Sequence, residues 1–372
     1  MFVRHRAVRR YHVGPQRRRI PMTELPETCR WGVIGTAGIA RKVVRAMHLA
    51  PHATPVAIAS RTLDRAAAFA EEHGLDRGHG NYDALLADPE IDAVYVPLPT
   101  TIRRDVVIAA ARAGKHVLSE KPVAPHSEAV KQMIEACADA GVQFMDGVMF
   151  MHHHRMERLI ERLPDLGPSP TLLETAFTFR ADASFLESNI RTSLDTEPLG
   201  CVGDLGWYNV RIALIAMGGM PTIVRARHHE IHDGVPIHTT GELQFDGIEG
   251  PRIARFQCSF RHPLRQWVEI VGEQGAMWMH DFVIGSPTEA VLEIETESTL
   301  TEGDAAHQRH CERLVIPDCV QETEMIERFS RIALGMDPID PRWPRWALET
   351  QQVVDGIMSS ASADGADIVL VH

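Results

Sequence analysis

Cysteine is scarce in this 372-residue chain and none of it is paired in sequence. The six residues Cys29, Cys137, Cys201, Cys258, Cys311 and Cys319 form no C-x-x-C unit and no zinc-finger spacing. A disulfide framework and a structural zinc are excluded on that ground, and reduced thiols in the cytoplasm fit best. No apolar run approaches the roughly 20 residues that cross a bilayer, and the Arg-rich start carries no apolar segment of the kind a secretory signal needs. Positive charge is short as well. The net charge is -12, and residues 1–22 hold seven Arg and no acid, so the remainder carries seven more negative charges, -19. An acidic body excludes nucleic acid as a partner, and no membrane segment is present; a small molecule remains. No repeat or low-complexity tract interrupts the chain.

What is present is a globular composition on a chain too long for one ordinary core, so two domains are expected, 29–150 and 151–372. Residues 1–28 are set apart. Their Arg-rich first part has no apolar periodicity and reads as a disordered extension, or as one created by a start placed upstream of Met22.

The organising stretch is Arg30 to Lys42, RWGVIGTAGIARK. Val33 and Ile34 belong to a buried strand, Gly35 allows a tight turn, and the amides that open the next helix face a dinucleotide pyrophosphate. Gly35, Thr36, Ala37, Gly38, Ile39 and Ala40 follow G-x-G-x-x-G/A except at Ala37. A strand-to-helix turn that binds nothing is the bland alternative. Alternation then continues: strand Val56–Ser60, helix Leu63–His73, a short helix near Asp83–Ala87, strand Ala93–Val96, helix Arg104–Ala113, strand His116–Leu118, helix Ser127–Ala140 and strand Val142–Met145. That pattern predicts an α/β fold with a doubly wound parallel Rossmann sheet. Beyond about His152, six β-rich runs between Leu172 and Thr296, with helices only near Val202–Met217, Glu322–Leu334 and Trp346–Ser359, predict an α+β domain on an open, mostly antiparallel sheet.

Three places carry chemistry. Ser60 and Arg61 end the second strand, where a dinucleotide fold faces the adenosine ribose. An NAD site usually offers a carboxylate there, whereas a cation suits the 2′-phosphate of NADP, so NADP is preferred over NAD. Glu120-Lys121-Pro122 follows a buried strand at the carboxyl edge of the sheet, where ligands bind. Lys121–Pro122 is a candidate cis peptide, since an X-Pro bond costs only about 0.5–1 kcal/mol in cis; a surface ion pair beside a turn is the alternative. Asp204 and Tyr208 lie four apart in GCVGDLGWYN and share a helix face. A phenol with a pKa of about 10 needs a nearby cation to exchange protons near neutrality, and Lys121 is placed to supply it. Trp207 and Tyr208 as plain core aromatics is the competing reading.

GVIGTAGIA, ASR, the VPLPTT loop and AGKHVLSEKP, in this order, resemble the glucose-fructose oxidoreductase, inositol dehydrogenase and rhizopine-catabolism (Gfo/Idh/MocA) family, strongly from Trp31 to Phe150 and more patchily afterwards. The resemblance implies hydride exchange between NAD(P) and a carbinol or carbonyl of a sugar, polyol or cyclic diol. It implies that Lys121 is catalytic and that Tyr208 holds the acid/base position, and we group Asp204 with them. It places Pro97, Leu98, Pro99 and Thr100, with Glu120 and Lys121, against the cofactor. A homo-oligomer built through the C-terminal sheet is expected. The loop departs from the family's P-x-P-N-x-x-H: Thr100 replaces Asn and Arg103 replaces His, a permanent cation for an imidazole. Asn189 and Arg191 are candidates for substrate hydroxyls. His152-His153-His154 cannot all face one ion from regular structure, so no metal is expected. A redox-neutral lyase or glycosidase using NAD transiently, and a nucleotide sensor without turnover, remain open; Lys121 and Tyr208 together argue against the sensor.

Overall fold

The computed structural model describes residues 28–247, 250–300 and 307–370. The expectation for the N-terminal extension falls on residues outside these, apart from Thr28. The first half alternates β1 (Cys29–Ile34), α1 (Gly38–Leu49), β2 (Ala53–Ala59), α2 (Leu63–His73), β3 (Arg77–His79), α3 (Tyr82–Leu86), β4 (Ala93–Val96), α4 (Thr100–Arg112), β5 (His116–Ser119), α5 (Ser127–Ala140) and β6 (Phe144–Asp146). The six strands pair in parallel in the order β3-β2-β1-β4-β5-β6. This is the doubly wound order, whose switch point lies between β1 and β4, and a ligand crevice opens at the carboxyl ends of those strands. Trp31, Val33 and Ile34 are fully buried, as a strand covered on both faces requires. On α1, the residues at helical spacing, Ala40, Val43, Val44 and Met47, turn inward.

α4 begins four residues before the Arg104 start read from periodicity. Pro99 takes the cap position, and Thr100 enters the helix despite its branched side chain. Its backbone N–H, which has no intrahelical partner, donates to Glu197 Oε1 at 3.0 Å. The partner comes from far downstream, so local sequence could not announce it.

The second half comprises α6 (His154–Arg162), β7 (Leu172–Arg180), α7 (Ala183–Ser188), α8 (Trp207–Met217), β8 (Ile223–His232), β9 (Val235–Phe245), β10 (Arg252–Ser259), β11 (Arg261–Val271), β12 (Gly275–Met279), β13 (Glu289–Leu300), β14 (His307–Pro317), α9 (Gln321–Ala333), α10 (Arg342–Ser362) and β15 (Ile368–Val369). Its sheet runs β14-β13-β12-β11-β7-β10-β9-β8-β15, with β7 and β10 parallel and the other neighbours antiparallel. Periodicity missed α6 and α7, so helix is more frequent here than expected. It also missed β12 and β14. The helix expected from Val202 starts with a π turn, Val202–Gly206, before α8 proper. π turns of this kind recur at functional sites.

The last two helices return to the first sheet. Trp31 Nε1 donates to Ser330 Oγ at 3.0 Å and its ring meets Phe329 at 5.1 Å. Asp340 N donates to Gln143 Oε1 at 2.8 Å, and Ser127 N to Asp355 Oδ2 at 2.7 Å. C-terminal chain is thus tied to the Rossmann half of the protein.

Candidate active site

The turn after β1 is shaped for an anion. Gly35 has φ 105°, and a side chain there would meet Leu98 at 2.9 Å. α1 starts at Gly38 with no acid in its first turn and no side chain capping its amides, and the space where a Gly38 Cβ would stand is open. Those amides and the helix dipole suit a pyrophosphate, so the residues fit a nicotinamide dinucleotide. Ala37, Gly38, Ile39, Pro97 and Leu98 line one wall of a cavity of about 530 Å³ that also holds Lys121, Asp204 and Tyr208. Ala40 faces the core instead. Ser60 is buried at the end of β2 and Arg61 is exposed beyond it. One helical turn on, Arg65 reaches back and donates to Thr36 Oγ1 at 3.2 Å. Arg65 is thus a second cation close to Arg61 in sequence, on the first turn of α2.

On the other side of the cavity stands Lys121, whose peptide bond to Pro122 is cis. Nζ donates to Asp204 Oδ1 at 2.8 Å and to Asp204 O at 2.7 Å, and lies 4.8 Å from the centre of the Tyr208 ring. Arg191 Nε is 3.0 Å from the same Oδ1. The close approach of two elements makes this possible: a Cβ on Gly203 would sit 2.7 Å from Leu199 Cβ and 3.0 Å from Pro122 Cγ. Burial alone would raise the Asp204 carboxyl, but Lys121 and Arg191 outweigh it and bring its pKa down to about 2. Burial likewise opposes the Lys121 ammonium, yet Asp204 more than offsets this, so Lys121 stays charged.

Tyr208 corrects one expectation. Its pKa is raised, not lowered, because burial outweighs the nearby Lys121 cation. That cation lies over the ring face rather than at the hydroxyl. The phenol is therefore held protonated, and Tyr208 Oη makes no hydrogen bond among the described residues. It is a free protic group of the site.

Glu120 is fixed by Tyr95, whose hydroxyl donates to Oε1 at 2.6 Å, and by the Lys121 amide at 3.1 Å. Thr100 offers less to a cofactor than its position suggested, since its hydroxyl donates to Glu197 Oε2. Glu197 itself lines the cavity and went unnoticed in the sequence. Burial raises its pKa against the opposing pull of Arg103 and Thr100. Arg103 is no free cation. It is buried and donates to the carbonyls of Leu98, Glu120, Pro122 and Val123, tying the Pro97–Pro99 loop to the Lys121 turn. Of the pair proposed for hydroxyls, Arg191 lines the cavity; Asn189 does not, and accepts from the Arg191 amide at 3.1 Å instead.

The three adjacent histidines also leave the site. His152 stacks on Trp343 at 4.5 Å and 6°, with neither ring nitrogen hydrogen-bonded among the described residues, so burial holds it neutral. A histidine of this cluster on the substrate pocket was one reading of the sequence, and none of the three lines the cavity. His153 accepts from the Arg155 amide, and His154 lies 3.7 Å from Glu324. Among the described residues no group of three His, Cys, Asp or Glu is arranged to hold a metal, and no helix is long and apolar enough to cross a membrane.

This geometry coincides with the comparisons. Residues 29–148 match the family model described as the NAD-binding Rossmann fold of the Gfo/Idh/MocA oxidoreductase family, and 169–278 match the GFO/IDH/MocA C-terminal domain. The chain is 35% identical to the D-xylose 1-dehydrogenase (NADP(+)) 2 of Haloferax volcanii over 70% of its own length and 78% of that protein. It is 30% identical to the dTDP-3,4-didehydro-2,6-dideoxy-α-D-glucose 3-reductase of Actinomadura kijaniata, over 89% and 95%. The crystal structure of a 3-ketoreductase from that organism with NADP and TDP-benzene superposes with a TM-score of 0.77 at 27% identity, covering 90% of this chain and 98% of that one. An anion-binding turn, a lysine and tyrosine on one cavity, and matches along both halves make this chain a member of the Gfo/Idh/MocA family, an NAD(P)-dependent oxidoreductase acting on CH–OH groups.

Proposed function

We propose that Lys121 and Tyr208 are the catalytic pair of an enzyme that works on a sugar, polyol or cyclic diol, with Asp204 orienting the lysine and Arg191 binding a neighbouring oxygen. The observation that carries this reading is the Lys121 ammonium, held between Asp204 and the Tyr208 ring on a cavity that the start of α1 also lines. When bound, the nicotinamide supplies or accepts the hydride. The chain's own groups do the rest. Lys121 polarises the carbonyl oxygen, and Tyr208, protonated at neutral pH, delivers its proton to that oxygen in the reductive direction. In the oxidative direction Tyr208 must first lose its proton. The oxidation rate should therefore keep rising past pH 10, the ordinary tyrosine value, because the phenol's pKa is raised.

Tyr208→Phe tests the assignment, since it keeps the ring packing and removes the proton carrier. Turnover, followed by reduced-nicotinamide absorbance, should fall while Tm stays put; a lower Tm with unchanged kcat would make Tyr208 a core aromatic only.

NADP is the preferred cofactor in this reading, with Arg61 on the 2′-phosphate and Ser60 beside it. Thr36, Ala40, Pro99 and Thr100 shape the loops around the dinucleotide. The unit spanning 29–150 binds the nucleotide, and 151–372 binds substrate and joins copies of the chain through its open sheet. The charge ladder Arg225, Glu242 and Arg255 lies on that sheet. Sedimentation of the intact protein checks the oligomer. Six free thiols suit a reducing cytoplasm.

A further inference from the structure

The cavity is lined by apolar as well as polar side chains. Strand β7 presents Phe177 and Phe179, two residues apart and therefore on one face. Phe177 meets Tyr208 edge to face at 5.4 Å, so the apolar wall begins at the ring of the proposed proton carrier. Phe179 and Phe185 pack edge to face at 5.4 Å, and both rest on Phe260 at 5.1 and 5.3 Å. Such a wall is rigid and offers hydroxyls no hydrogen-bond partner. At its rim, three segments far apart in sequence contribute Ile190, Leu264 and Ile284, which are 47, 62 and 53% exposed. Isolated exposed aliphatics are ordinary, but three converging on one aromatic-walled cavity form a patch with a use.

Donors free to meet a substrate oxygen are few on the polar side. Arg103 is taken up by backbone carbonyls, and Lys121 and Arg191 both already meet Asp204 at Oδ1. The Tyr208 hydroxyl and the remaining hydrogens of Lys121 and Arg191 can serve about two adjacent oxygens, with the Asp204 carboxylate beside them as an acceptor. A fully hydroxylated ring would press further hydroxyls against phenyl groups, each losing water without replacement, at about tenfold in affinity apiece.

We infer that the substrate is an amphipathic ring: a ring carbinol with one neighbouring oxygen at the Lys121 end, whose remaining edge is hydrocarbon extended by an aryl or alkyl group toward Ile190, Leu264 and Ile284. This rests on the reading of the cavity as the substrate site. The test compares trans-1,2-dihydroxytetralin, two hydroxyls on an aryl-fused ring, with myo-inositol and D-xylose. Binding to the NADPH-loaded protein is measured by calorimetry, and oxidation is followed separately with NADP. The tetralin diol should bind about tenfold or more tighter than either polyol. Leu264→Ser, at an exposed rim position, should cut that advantage several-fold. Polyols that bind as tightly as the aryl diol, or an advantage untouched by Leu264→Ser, would overturn the inference. An aryl diol that binds with the expected preference and is not oxidised leaves the ligand class standing and removes the catalytic assignment of Lys121 and Tyr208.

Discussion

Two ion pairs flank α8, and they are built alike. Each joins a residue at the carboxyl end of a Rossmann strand to the segment containing the helix. Lys121, after β5, meets Asp204 at 2.8 Å; Asp146, ending β6, meets Arg211 at 2.6 Å. The second pair is sealed. Both side chains are fully buried, Trp207 Nε1 donates to Asp146 at 3.2 Å, and Arg211 Nε donates to Thr350 at 2.8 Å. The first pair opens on a cavity, has a second cation in Arg191, and stands beside a phenol whose hydroxyl has no hydrogen-bond partner among the described residues. The Asp146 network is hydrogen-bonded on every side shown and clamps β6, α8 and α10 together. The Lys121 network keeps spare donors facing a space, and that residual capacity is what separates a site from a brace.

The comparison breaks most visibly at the brace. Arg211→Met leaves Asp146 as an unpaired buried charge and should cost about 3–5 kcal/mol of stability in denaturant unfolding. The surviving folded fraction should show unchanged KM for NADP. If Arg211→Met were as stable as wild type while losing turnover, the two roles would be reversed.

Lys121→Met should do the opposite. We expect kcat to fall on the order of a hundredfold or more, with NADP affinity within a few-fold. Tm should fall less than for Arg211→Met, because Arg191 still faces Asp204.

Arg61→Ala sharpens the same distinction at the adenosine end, where an exposed cation has no structural duty to lose. It should cost about 1.5–3 kcal/mol, roughly ten- to hundredfold, in kcat/KM with NADP and much less with NAD. Equal losses for both cofactors would show that Arg61 does not read the phosphate.

The smallest effect is a pH dependence. Asp204 falls from the ordinary 3.8 to about 2 on folding. A depressed carboxyl stabilises the fold above its unfolded pKa, and the contribution fades as pH drops from 3.8 toward 2. Asp204→Asn should therefore narrow its stability gap to wild type by about 2 kcal/mol over that interval, read from unfolding at matched pH. A gap that stays constant would mean that Lys121 and Arg191 do not hold the carboxylate in its charged form.

The parts of this protein legible in the sequence are those whose signals are local. The β1 turn, the Glu120–Pro122 tripeptide and the spacing of Asp204 and Tyr208 each lie within about ten residues, and short-range chemistry dictates them: a backbone that must turn, a helix start that must meet an anion, two side chains one turn apart. Alternating strands and helices made the parallel sheet readable for the same reason. Arg103 was visible as a departure, but its role as a carbonyl clamp depends on four acceptors that only the folded loops bring within reach. Glu197 on Thr100, Arg211 on Asp146 and the Phe177–Phe179–Phe185 wall join segments far apart in sequence. Even the direction of the Tyr208 shift was decided by packing, because desolvation is a property of the surroundings that tertiary structure assembles and no local pattern records. Sequence alone determined which polar groups the chain can offer a cofactor and a substrate; only the tertiary structure decided which of them are left free, since a hydrogen bond already satisfied inside the fold is not available to a substrate.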